Sequence, residues 1–228
     1  AGKDNLRQQS SMWQAMLLSA GLPNSKQIFI HGFITVNGQK MSKTIGNVID
    51  PFEVVEKYGT DPMRYYLLRE IPSGEDGDFS YEKFEARYNG DLANGLGNLV
   101  ARVVTLGAKI EPVLKLHYDE QFLFAAEIIG IQSRYKEHMK NFRLNEALGD
   151  IWEIIALMDK WINDSKPWTK DVEELKSFLK TAGHGLTTIV FLLGPFLPET
   201  AEKIRKQISV SDSEIVIQKA GNLFPRLA

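Results

Sequence analysis

Between Phe84 and Ile110 the apolar residues Leu92, Leu96, Leu99, Val103 and Leu106 recur at spacings of four and three, with no proline among them. That spacing puts all five on one stripe of an α-helix roughly 40 Å long. A helix of this length with a single apolar stripe has to bury it against other elements. The chain supplies them, with helical patterns near Asp119–Phe142, Asn145–Asn163, Val172–Leu193 and Pro198–Ile208. A short β-prone run, Glu214 to Gln218, precedes a tail containing Pro225. From about residue 81 onward the sequence therefore predicts an α-helical bundle.

The first 80 residues read differently. Leu6, Met12, Trp13, Met16 and Leu17 predict a helix over Asn5–Ser19, with Gly21 as its stop. Gln27 to Val36 is rich in β-branched and aromatic residues and reads as the one strand of this half. A polar loop, Asn37 to Asn47, follows. Asp50-Pro51 and Asp61-Pro62 each offer a carboxylate at an N-cap and a proline at the first helical position, predicting helices over Pro51–Lys57 and Pro62–Glu70. Pro72 to Ser80, with Gly74 and Gly77, reads as a loop. A lone strand cannot form a sheet, so its edges are expected to lack partners.

Composition narrows the function classes. The net charge of −2 argues against a protein that coats nucleic acid non-specifically, while leaving room for a local site reading a few nucleotides. The absence of cysteine excludes disulfides and thiolate metal sites within these residues. His31, His117, His138 and His184 have no ligand spacing, so no metal site is expected here. No apolar run approaches the ~20 residues of a membrane span, so no membrane partner is expected, and a cytoplasmic location fits.

The segment with the most chemistry is Lys40-Met41-Ser42-Lys43-Thr44, bracketed by Gly38 and Gly46. Two lysines three residues apart on such a loop can close over a polyphosphate and neutralise the charge that develops as it departs. Further on, Asn94, Asn98 and Arg102 are spaced by four and share one helix face. An amide and a guanidinium there suit the edge of an unpaired base. Trp168, after Pro167, offers a ring on which a splayed base could stack. Each pattern also has a plain reading: a solvated loop, a solvent-facing stripe, a core tryptophan.

Lys40 through Pro51 resembles the KMSKS signature of the class I aminoacyl-tRNA synthetases, with Thr44 in place of the usual final serine. Three stretches narrow the resemblance to the methionyl enzymes of that class. They are Tyr58–Glu70 with Gly77–Ser80, Arg87–Arg102, and Lys166-Pro167-Trp168. The resemblance implies a mainly α chain, with a C-terminal remnant of a Rossmann-type α/β catalytic domain (residues 1–80) followed by an α-helical bundle anticodon-binding domain (residues 81–228). It implies ATP, with Mg2+, and methionine as substrates and tRNA(Met) as partner. Zinc is implied only in a region upstream of residue 1.

By the same resemblance Lys43 and Lys40 are catalytic, and Asp4, Lys40, Met41, Ser42 and Lys43 bind ATP. Asp4 could alternatively cap the first helix. Gln9 and Trp13 fall at the methionine pocket, although many relatives have histidine where Gln9 stands and Trp13 could be plain core. Asn98, Arg102, Pro167 and Trp168 fall at the anticodon site, which reads CAU in this family. The second ATP signature of the class, HIGH, is matched neither by His31-Gly32-Phe33 nor by His184-Gly185-Leu186. These 228 residues alone are therefore expected not to activate methionine. The alternatives are an isolated anticodon-binding module and another class I enzyme of the isoleucyl or valyl type.

Overall fold

The computed structural model describes residues 1–42, 44–117, 125–211 and 214–227. The long helix is present and longer than its stripe. It starts at Tyr81, capped by Ser80, whose Oγ accepts from the Lys83 amide at 3.2 Å. Helix α4 (Tyr81–Arg87) runs through a π-helical stretch, Tyr88–Gly97, into α5 (Asn98–Ile110). Leu92, Leu96, Leu99, Val103 and Leu106 are all buried. They meet the apolar faces of α7 (Leu144–Ser165) and α8 (Val172–Leu193). Helix α6 (Ala125–Lys140) packs along α7; the part of its expected span from 119 to 124 lies outside the described residues.

The C-terminal strand is where the sequence places it, but it has company. Strand β6 (Glu214–Gln218) lies between β4 (Val113–His117) and β5 (Ile208–Val210), antiparallel to both. Its inward residues Ile215 and Ile217 are fully buried. They approach α8 at Gly183 and α5 at Gly107 so closely that a Cβ on either glycine would lie 2.9 or 2.8 Å from an isoleucine methyl. The helix expected to reach Ile208 ends at Arg205 as α9 (Pro198–Arg205), because Ile208 joins β5.

Several expectations for the first 80 residues need correction. The strand is shorter than Gln27–Val36: only β1, Ile34–Val36, is regular, with an isolated parallel bridge between Gly2 and His31. It is also not alone. Asn37 and Gly38, both with positive φ (51° and 74°), turn the chain into β2 (Gln39–Lys40), antiparallel to β1. The stretch read as a loop contains β3 (Gly77–Phe79), parallel to β1. The sheet order is β2-β1-β3. Lys40 is consequently a strand residue at the mouth of the loop.

Asp50 caps α2 (Pro51–Tyr58), accepting from the Phe52 amide at 2.8 Å. Asp61 does not cap its own helix, α3 (Thr60–Glu70), whose N-cap position is Gly59. It is buried, and its carboxylate accepts from the Thr200 amide at 2.6 Å in the first turn of α9. Arg64, also on α3, donates to the carbonyls of Phe196 and Pro195 at 2.7 and 2.9 Å. Arg87, beyond the cap at Ser80, donates to Glu70 at 2.9 Å. Helix α3 is thereby built into the bundle, and one hydrophobic core runs from Val36 to Phe224.

Candidate functional sites: a lysine loop and a tryptophan-lined cavity

The lysine loop leaves the sheet at β2. The Lys40 ammonium lies 5.5 Å from the centre of the Phe33 ring, and the Lys3 ammonium lies 4.5 Å from the same ring. The N-terminal segment carrying Asp4 is thus held beside the loop. Backbone bonds from the Lys3 amide to the His31 carbonyl and from the His31 amide to the Ala1 carbonyl (both 2.9 Å) and a Lys3–Asp76 ion pair (2.6 Å) fasten it there. Lys3 and, after it, the Phe33 amide hold the Asp76 carboxyl below the usual carboxylate range. Asp4 does not cap the first helical turn; it is exposed and accepts from Asn5 Nδ2 at 3.3 Å.

Within the loop, Met41 packs against the core and Ser42 organises a tight turn. The Ser42 carbonyl accepts from the Ile45 and Gly46 amides at 3.2 and 3.0 Å, and its Oγ accepts from the Thr44 amide at 3.2 Å. Lys43 lies outside the described residues. Two side chains absent from the sequence reading fix the loop's entry and exit. Asp78 accepts from the Gly38 amide at 2.7 Å and from Thr35 Oγ1 at 2.8 Å; these bonds, the amide foremost, hold its carboxyl low. Asn47 bridges Ser42 and Lys40.

Gln9 and Trp13 sit one turn apart, Gln9 in a π-helical turn (Gln8–Met12) and Trp13 at the start of α1 (Trp13–Ser19). Trp13 is 45% exposed, so it is not core. Leu6, Met12, Met16 and Leu18 beside it are exposed as well.

The second site lies on the bundle. Lys166 takes a left-handed conformation (φ 45°, ψ 55°) at the end of α7, and buried Pro167 opens one 3-10 turn, Pro167–Thr169. Thr169 closes that turn by donating to the Lys166 carbonyl from its amide (3.0 Å) and its hydroxyl (2.8 Å). The turn points Trp168 outward, leaving it 53% exposed. Trp161 shows the opposite fate, stacked on Phe178 at 4.3 Å. Trp168, Arg102, Ala101, Thr105, Leu106 and Lys109 line an open cavity of about 330 Å³.

Arg102 reaches this cavity as a paired group. It donates to Asp159 at 3.1 Å and to Asn163 at 2.7 Å, both on α7. Burial pushes the Asp159 carboxyl above the usual range, with the guanidinium opposing that shift. Asn98 is exposed one turn earlier and faces an adjoining cavity of about 260 Å³, walled by the tail residues Asn222, Phe224 and Arg226 and sharing Ala101 with the first. The structure thus brings Arg102 and Trp168 together, with Asn98 alongside. Lys109 and the tail were missed from the sequence; Lys109 lies seven residues beyond Arg102 on the same face, a spacing that could have found it.

Among the described residues no group of three or more histidine, aspartate or glutamate side chains could hold a metal, and no helix is long and apolar enough to cross a membrane.

Comparisons with known proteins bear on the family and the fold. Residues 1–104 match the family of tRNA synthetases class I (M), and residues 124–221 match the anticodon-binding domain of tRNA ligases. The methionine–tRNA ligase of Thermotoga maritima is 39% identical over 221 residues, covering 92% of this chain and 35% of that protein. The Bacillus subtilis methionine–tRNA ligase is 36% identical, covering 99% and 38%. The Mycobacterium tuberculosis methionyl-tRNA synthetase, solved in complex with methionyl-adenylate, superposes with a TM-score of 0.86 at 30% identity over 99% of this chain and 49% of that one. The chain therefore spans little more than a third of the curated relatives it matches. It belongs to the class I tRNA synthetases of the methionine type.

Proposed function

We propose that this chain serves a methionine–tRNA ligase in two ways: its lysine loop acts on ATP, and its bundle reads the CAU anticodon of tRNA(Met). The observation carrying the second role is the shared cavity of Arg102 and Trp168, two residues 66 positions apart in sequence. An indole held outward by a closed turn offers a stacking platform worth ~1–3 kcal/mol per base. Beside it, the amide of Asn98 and the guanidinium of Arg102 can meet base edges, while Pro167 fixes the turn. Asp159 and Asn163 hold the guanidinium plane, so contact with a base would share or exchange those bonds.

For the chemistry, Lys40 and Lys43 would neutralise the departing pyrophosphate as methionine attacks the α-phosphate and forms methionyl-adenylate. Met41 and Ser42 shape the loop around the nucleotide, and Asp4 faces its ribose. Gln9 and Trp13 contribute to a methionine pocket. Magnesium would accompany the triphosphate, held chiefly by phosphate oxygens and water. A cytoplasmic location follows from this role.

Binding of the chain to CAU and GAU anticodon stem-loops at one fixed, moderate salt concentration tests the reading. A preference for CAU, weakened at least about tenfold by Trp168→Ala, is expected. Equal affinity for the two stem-loops would remove the anticodon role and leave only the lysine loop.

A further inference from the structure

The lysine loop is held by a side chain that has no part in the chemistry itself. Asn47 Oδ1 accepts from the Ser42 amide at 2.8 Å, and its Nδ2 donates to the Lys40 carbonyl at 3.2 Å. The amide supplies both, whereas a carboxylate in its place could make only the first, since the second needs a donor. The side chain closes a ring across the segment that contains Lys43 by sequence. Gly46, with φ at +73°, turns the backbone so that Asn47 comes back beneath the loop, a conformation other residues adopt at a cost.

We propose that Asn47 is a positioning residue for the reaction, setting the approach of the lysine ammonium groups to the departing pyrophosphate without touching substrate. The proposal rests on the lysine loop being the ATP-side loop. Four observations carry it. The two contacts reach main-chain atoms on either side of Met41, so they fix the backbone that aims the lysines. Asp78 pins the other end at Gly38 and Thr35, so the hairpin cannot slide to compensate for a lost Asn47 contact. Met41, half-buried between the two contacts, packs against the core. Asn47 is half-buried in a loop outside every helix and strand, and its removal leaves no hole in the core.

A loop misplaced by about 1 Å can cost a reaction about a hundredfold. In the protein as its cells make it, methionine-dependent exchange of pyrophosphate into ATP is the readout. Asn47→Ala is expected to lower kcat by about ten- to a hundredfold, leaving KM for methionine within about twofold of its original value because the pocket residues are untouched. Asn47→Asp keeps the acceptor for Ser42, loses the donor to Lys40, and should fall between the parent and Asn47→Ala.

Full exchange activity in Asn47→Ala would overturn the proposal. So would a loss equal in both variants and matched by a drop in the thermal midpoint, since that would assign Asn47 to stability. The Lys43→Ala variant, run in parallel, separates this outcome from failure of the underlying reading. If exchange survives without Lys43, the loop is not the ATP-side loop; if it is lost there and intact in Asn47→Ala, only the positioning role falls.

Discussion

The first 50 residues and the bundle beyond residue 81 contain comparable apolar side chains and treat them oppositely. Among the described residues of the first 50, only Gly32 and Val36 are buried, while Leu6, Met12, Trp13, Met16 and Leu18 stand in solvent. Helix α8 alone buries eleven residues, and α7 buries eight. The difference is one of partners. Each bundle helix finds a facing stripe on another helix, so the apolar faces close on themselves. The N-terminal helix has no such partner among the described residues, and the three-stranded sheet of two- and three-residue strands is too small to supply one. Amphipathic periodicity thus predicts that a helix forms without predicting what covers it.

The largest expected effect tests the closed half. Leu148→Ala, at a fully buried site on α7, should cost about 2–5 kcal/mol in urea unfolding. A cost below about 1 kcal/mol would mean that the bundle does not depend on that packing. Asp61→Ala comes next. It strands the buried Thr200 amide and should cost about 1–3 kcal/mol. The loss should appear as faster amide exchange in the first turn of α9, and unchanged exchange there would refute the tie between α3 and α9.

A pH titration sharpens the comparison further. Asp76 and Asp78 titrate below their unfolded value of about 3.9. Their ties to Phe33 and Gly38 are therefore complete at neutral pH and disappear as pH falls through the lowered values. The Phe33 and Gly38 amide resonances should move together below about pH 4. Movement near neutral pH would contradict the assignment. Asp159 behaves in the opposite sense. Its raised pKa means the folded bundle takes up that proton before the unfolded chain does, so acidification through that window does not weaken α7 through this group.

The smallest effect is expected in the open half. Met16→Ser, at an exposed site, should change the stability of this chain by no more than about 0.5 kcal/mol. A larger loss by the same urea titration would reveal a contact that covers the N-terminal helix.

Legibility in the sequence followed the same division. Every residue of the apolar stripe from Leu92 to Leu106 is buried as its spacing requires, and Val172–Leu193 is helical to the residue. Strand β6 was readable because Ile215 and Ile217 alternate with polar or half-buried neighbours. Strand β3 was not, because Gly77-Asp78-Phe79 is too short for any period and its partner β1 lies about 40 residues earlier. Asp61 looked like a cap for the same reason Asp50 did, an Asp-Pro pair. Only the arrival of α9 from the far end of the chain shows which amide it serves. At the sites, residue types announced the lysine loop and Trp168, whereas Asn47 and Asp78 owe their roles to main-chain atoms that carry no sequence signal.

The unbroken helical run from Tyr81 to Ile110 links the sheet beneath the lysine loop to the wall of the tryptophan cavity. A rod of this kind handles length as a phase angle. One residue added within Tyr88–Gly97 would advance everything beyond it by about 1.5 Å and rotate it by about 100°, swinging Arg102 out of the cavity it shares with Trp168. A surface loop absorbs such an insertion by bulging outward; here it would be delivered as torsion, and the two sites would fall out of register with each other.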